Sequence, residues 1–192
     1  MPAHLKRGHG RAWPHAQQLA RPGKLASVPT YVALLRGINV GGNRIIKMAD
    51  LKAMFEEAGA SDVATYIQSG NVVFTHPSRS AAKLAAHLEK ELGLTVILRT
   101  AEEMQAVLDK NPFPPESTHV FFLRTVGKVD LDPKPFLPEK WQIVGRELYV
   151  FLPNGLGRSQ LVGKLMRKPP VTDATARNWR TCEKLTAMCR TV

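Results

Sequence analysis

Cysteine is scarce in this chain, with only Cys182 and Cys189 present. Both fall in a stretch read as one helix. At 1.5 Å per residue their Cα atoms stand about 10 Å apart, too far for a disulfide. A disulfide-stapled secreted module is therefore excluded, and two core-facing thiols fit a reducing cytosol. No apolar run approaches the roughly 18–20 residues of a membrane span. The N-terminus is basic but lacks the apolar stretch of a secretory signal, so a cytoplasmic location is expected. Catalytic templates are missing too. There is no H-E-x-x-H, no clustered Cys/His pair and no G-x-S-x-G. His76, His87 and His119 fall in a turn, a helix and a strand without metal spacing, and no metal site is expected. No paired-carboxylate motif stands out from surface charge.

Acid is absent from residues 1–29, which carry five Lys/Arg. Residues 158–192 carry eight Lys/Arg against two acids, whereas residues 30–157 carry fourteen of each. The net charge of +11 therefore sits at the two ends of the chain. Phosphate contacts for nucleic acid could lie only on the leader or the C-terminal elements. A basic tail with solvated helix faces explains the same numbers. The leader has no periodicity and reads as disordered. A misassigned start codon or a cloning extension is the favoured origin, ahead of a transit peptide, because the segment is not Ser-rich.

Against these absences stands a glycine-rich segment, Arg36-Gly-Ile-Asn-Val-Gly-Gly-Asn43, between the apolar run Tyr31–Leu35 and a helical pattern. A strand emptying into such a loop exposes backbone N–H groups that can hold an anion. Gly37 and Gly42 have Walker A spacing, but Asn43-Arg44 stands where Lys-Ser/Thr is required, so a P-loop nucleotidase is disfavoured. Two further polar clusters follow, Tyr66-Ile-Gln-Ser-Gly-Asn71 and Thr175-Ala-Arg-Asn-Trp-Arg-Thr181.

The spacing predicts strand 31–36, helix 47–58, strands 63–68 and 71–75 joined at Ser69-Gly70, helix 80–92 and strand 94–99. Helix 101–110 follows, with Thr100 and Glu103 at capping-box spacing. Asn-Pro-Phe-Pro-Pro (111–115) marks a boundary. The second half reads as strand 118–125, a proline-broken connection 127–139, strands near 141–145 and 147–152, and helices near 159–167 and 174–189, with Ser159 an N-cap. No sequence repeat is evident. The expected fold is α+β with two fused subdomains. Residues 30–110 form a ferredoxin-like β-α-β-β-α-β unit, and residues 111–192 form a smaller α+β unit packed on it. Strands apolar on both faces require a sheet covered on both sides, by the second half or another subunit. That disfavours an RNA-recognition module, which leaves a face open.

The stretches YVALLRGINVGGN (31–43), TYIQSGNVVF (65–74), PNGLGRSQL (153–161) and TARNWRT (175–181) resemble the bacterial family known as domain of unknown function 1697. The resemblance covers roughly residues 30 to 190. It implies a compact cytosolic α+β protein and, since the family has no established activity, no mechanism. This chain departs from the family pattern at Ala176, where a second threonine is usual, and in its 29 residues before Thr30.

In the predicted topology the first and second strands run parallel with the third between them, so the loop after the first and the turn after the second emerge at one edge. The joint ligand-binding constellation is Arg36, Gly37, Asn39, Gly41, Gly42, Asn43, Gln68, Ser69 and Asn71. Arg177, Asn178 and Arg180, on the last predicted helix, form a second wall. The leading expectation is an anion binder whose ligand is a nucleotide, a phosphorylated metabolite or nucleic acid. The alternatives are an enzyme acting on a phosphorylated substrate in the same pocket, and a structural or self-associating protein, a homodimer, in which the glycines only permit a tight turn. The cofactor is left open.

Overall fold

The computed structural model describes residues 28–39 and 45–192. The leader before Val28, and Gly41, Gly42 and Asn43, lie outside the described residues. The fold is α+β, with two antiparallel four-stranded sheets and five α-helices among the described residues.

The first sheet contains β1 (Thr30–Leu35), β2 (Ser61–Tyr66), β3 (Asn71–Thr75) and β4 (Val96–Thr100), in the order β2-β3-β1-β4. Helix α1 (Met48–Glu57) connects β1 to β2, and α2 (Ala81–Leu92) connects β3 to β4. Both present apolar stripes, Leu51 and Phe55 on α1 and Leu84, Leu88 and Leu92 on α2. These stripes pack on the face of the sheet that carries Tyr31, Ala33, Leu35, Val72 and Phe74. Ser80 caps the start of α2, and Gly93 ends it in the left-handed region. Helix α3 (Ala101–Asp109) follows β4 directly and starts on the full capping box of Thr100 and Glu103.

The second sheet contains β5 (Thr118–Phe122), β6 (Lys140–Val144), β7 (Glu147–Phe151) and β8 (Thr175–Asn178), in the order β6-β7-β5-β8. Helix α4 (Gln160–Leu165) connects β7 to β8 and is capped by Ser159, as its sequence predicts. Helix α5 (Trp179–Met188) follows β8 directly. The two sheets thus have the same connectivity. They differ in the first crossover, a helix in one half and the proline-broken segment after β5 in the other. That substitution is why no repeat is evident in the sequence.

One expectation is corrected here. Residues 174–189 are not one helix. Thr175–Asn178 pair with the open edge of β5, Val120 opposite Arg177 and His119 opposite Asn178. The Asn178 side chain accepts from the Thr181 amide, so it caps α5 and sets the helix start one residue later. The three- and four-residue spacing of Arg177, Arg180 and Lys184 mimicked a helical stripe across that boundary.

The second face of the first sheet (Val32, Leu34, Val73, Ile97) is covered by the second half, as two-sided apolar strands require. It shares a central core with Val120, Phe122 and Tyr149 of the second sheet, Met104 and Val107 of α3, and Trp179, Cys182 and Leu185 of α5. The Tyr149 hydroxyl donates to the Val107 carbonyl at 2.9 Å, and the Thr186 hydroxyl to that of Met104 at 3.3 Å. Helix α4 packs on the outer face of the second sheet with Phe121, Leu148 and Val150.

Two buried arginines tie the halves together by the same geometry. Arg99 faces Val32 across β4–β1, and Arg177 faces Val120 across β8–β5. Each reaches into the other half. Arg99 Nε donates to Glu147 Oε1 at 2.7 Å, at the start of β7, and Nη2 donates to the carbonyls of Leu123 and Arg146. Arg177 Nε donates to Asn71 Oδ1 at 2.5 Å, at the start of β3, and Nη2 donates to the carbonyls of Leu35, Ser69 and Gly70. Each Nη1 also donates to the carbonyl of its preceding residue, Leu98 or Ala176. The carbonyls they grip belong to equivalent crossings, where the Leu35 amide bonds Gly70 O at 2.8 Å and the Leu123 amide bonds Arg146 O at 2.9 Å.

Magnitudes separate two roles. Burying the central cluster contributes roughly 20 kcal/mol of gross hydrophobic free energy, at about 2 kcal/mol per large side chain. The net gain from each arginine is far smaller, because it surrenders its hydration. Removing one nevertheless strands several buried acceptors and, for Arg99, the partly buried Glu147 carboxylate. Arg99→Ala and Arg177→Ala are each expected to cost about 3 kcal/mol or more in urea denaturation, with one cooperative transition retained. A loss below about 1 kcal/mol would refute the tie.

Candidate ligand-binding cleft

The edge predicted to gather Arg36–Asn43 and Gln68–Asn71 does gather the described part of them. Asn39 sits at a left-handed φ of 53°. Its amide nitrogen donates to Ile46 O and Gln68 O, and its oxygen accepts from the Ile46 amide. Asn71 is fully buried and donates to Tyr66 O and Ser69 Oγ while accepting from Arg177. Gly70 is at φ 73°, and a Cβ there would lie 2.7 Å from Leu35 Cβ, so only glycine fits this crossing. Arg177 is 8% exposed, and every nitrogen of its guanidinium is engaged, Nη1 also by Thr175 Oγ1. Burial pulls its pKa down to about 10, so it stays charged at neutral pH. These side chains are occupied in holding backbone. Arg36, which pairs loosely with Asp173 at 3.4 Å, and the exposed Gln68 are the two that remain turned to solvent.

Asn178 and Arg180 lie elsewhere. They are at the far end of β8 from Thr175, beside His119 rather than beside Leu35. There a cleft of about 590 Å³ opens between a 3-10 turn (Pro115–Ser117) and the start of α5. Pro115 and Glu116 line it from the turn, Thr118 and His119 from β5, and Asn178, Trp179, Arg180 and Glu183 from the other side. The volume suits a small organic molecule.

Two of its lining residues carry a buried ring nitrogen without a partner. Trp179 is 9% exposed, and its indole N–H is buried without an acceptor. His119 Nδ1 is likewise buried without a partner. Such orphans are uncommon in folded proteins and call for a reason. Among the described residues, Arg180, Glu116 and Glu183 have no ion-pair partner. The groove between α2, β4 and Arg124 is different. Arg124 donates to both oxygens of Glu89, Arg146 pairs with Glu103, and Arg99 with Glu147, so its charges are consumed in a seam between the halves.

His119, Trp179, Glu116 and Glu183 were missing from the sequence-derived set. A lone histidine in the apolar strand Thr-His-Val-Phe-Phe was the available signal for His119. The others needed the β5–β8 pairing to bring residues 115–119 to residues 178–183. Elsewhere the cysteines are closed, Cys182 pushed by burial up to about 12 and Cys189 to about 11. Among the described residues no cluster of His, Cys, Asp or Glu could hold a metal ion, and no helix is long and apolar enough to cross a membrane.

The family model for a protein of unknown function, DUF1697, matches residues 28–149. The chain belongs to this family. A solved structure of the conserved bacterial protein SP0830 from Streptococcus pneumoniae superposes with a TM-score of 0.68 at 23% identity, covering 85% of this chain and 99% of that one. At that identity the likeness establishes the shared fold. No curated protein matches the chain.

Burial holds the His119 pKa below its ordinary value. Between that value and the unfolded one the unfolded chain binds the proton more readily. The neutral imidazole therefore contributes stability above about pH 6.5 that is lost as pH falls. His119→Gln is expected to flatten the decline in stability from about pH 7 to pH 5, followed by chemical denaturation. An unchanged slope would place His119 outside the buried side of the cleft.

Proposed function

We propose that this DUF1697 protein binds a small molecule through an anionic group received by Arg180 and the start of α5 in the His119–Trp179 cleft. The observation that carries the reading is a cleft lined by a solvent-exposed arginine without an ion-pair partner and by Trp179, whose indole N–H is buried in the fold without an acceptor. The guanidinium would supply charge to an anionic group in the cleft, and the positive end of the α5 dipole would add to it. The pairing of His119 with Asn178 adds support, because it brings the histidine beside these groups.

The sequence raised a phosphate or nucleic-acid site on the Arg36–Asn43 loop. Asn39, Asn71 and Arg177 are each engaged by internal partners there, which favours a structural role for that edge and moves the ligand reading to the cleft. A thermal-shift panel of carboxylates and phosphorylated compounds separates the two sites. The cleft reading expects a stabilising compound whose effect disappears in Arg180→Gln and survives in Arg36→Ala. Loss in Arg36→Ala with retention in Arg180→Gln would return the site to the loop.

A further inference from the structure

We infer, resting on the cleft reading above, that the ligand is a zwitterion of the amino-acid type, carrying a carboxylate and an ammonium group, rather than a phosphate ester or a polyanion. The cleft presents both signs of charge on solvent-exposed side chains. Arg180 stands on the first turn of α5, Glu183 one turn further along, and Glu116 on the opposite wall in the turn before β5. Among the described residues all three lack ion-pair partners, and Arg180 and Glu183 do not pair although their spacing on the helix would allow it.

The charge balance selects against dianions. Burial keeps the His119 pKa low, so at neutral pH the imidazole adds no positive charge. The charge-bearing side chains of the lining are then one arginine against two glutamates. A phosphate ester at Arg180 would sit in a cleft whose other ionised groups repel it, and a nucleic-acid backbone would do so repeatedly. A carboxylate at Arg180, with an ammonium group toward Glu116 or Glu183, would meet both signs of charge that the cleft presents. The inter-half groove makes the contrast, since its arginines are consumed by Glu89, Glu103 and Glu147.

The same topological position in the first half supports a purpose for these residues. There Tyr31 stands where His119 does, opposite Thr100 as His119 is opposite Asn178. The Tyr31 hydroxyl is satisfied by Ser78 O at 2.6 Å, and Ala101 and Glu102 follow where Trp179 and Arg180 follow Asn178. The halves share their arginine ties and part company at this cleft.

The test is calorimetric titration of the full chain with the free L-amino acids, their N-acetyl and carboxamide derivatives, and inorganic phosphate. At least one free amino acid is expected to bind, with affinity falling about tenfold or more on blocking either end. The double variant E116Q/E183Q should abolish the preference for the free over the N-acetyl form while leaving carboxylate binding in place. If an N-acetyl compound or phosphate binds as well as the zwitterion, in a manner lost in R180Q, this inference falls and the cleft reading stands. If nothing in the panel binds, or binding survives R180Q, both fall.

Discussion

The reciprocal grip of Arg99 and Arg177 is the constraint on which the rest of the molecule depends. Each arginine starts in an edge strand of its own sheet and ends on the backbone crossing of the other sheet. Hydrophobic burial between the sheets supplies most of the driving force, but it is non-directional and would tolerate sliding. Charged donors that must find specific carbonyls do not tolerate it, because a displaced arginine would leave a buried cation and orphaned acceptors. The two guanidinium groups therefore fix how the halves meet, and with that the placement of β8, α5 and everything they carry.

That constraint explains the polar clusters along the chain. Arg-Gly-Ile-Asn begins at the end of β1, Gln-Ser-Gly-Asn leads into β3, and Thr-Ala-Arg-Asn is the strand that binds them. Residues far apart in sequence are parts of one tie. Asn39 closes its own loop onto Ile46 and Gln68, Gly70 lets the turn approach Leu35, and Asn71 receives Arg177. The glycine-rich segment with which the chain resembles its family is accordingly, in its described part, the keeper of an interface. The groups left unsatisfied lie at the opposite end of β8, where Asn178 hands the chain over to α5.

Much of this was legible residue by residue. The apolar stripes of α1 and α2, the Thr100 and Ser159 caps and the Ser69-Gly70 turn follow from local chemistry, and so did the connectivity that brings Leu35 beside Gly70. Strand β8 was not legible, because four residues with one arginine carry no period and the sequence runs straight into a helix. Arg99 closes the expected strand 94–99 without any local mark, and only the second sheet shows what its buried guanidinium holds. The shared connectivity was hidden because one half crosses over with a helix and the other with a proline-rich segment, so the likeness of the halves lies in strand pairing and not in residue pattern. The cleft was illegible for a related reason. Its walls lie about sixty residues apart in the chain and are brought together by the His119–Asn178 register and by the packing of the 115–117 turn on α5.

Amide hydrogen exchange on Arg177→Leu tests the reciprocal tie most directly. The leucine keeps most of the apolar volume and removes only the donors. The account predicts that protection falls at the Leu35 amide and along the start of β3, in the half that does not contain the substitution, as well as in β8. Protection lost only in β8 and α5, with Leu35 and β3 as slow as in the unaltered chain, would mean that Arg177 does not hold the first half in place, and would contradict it.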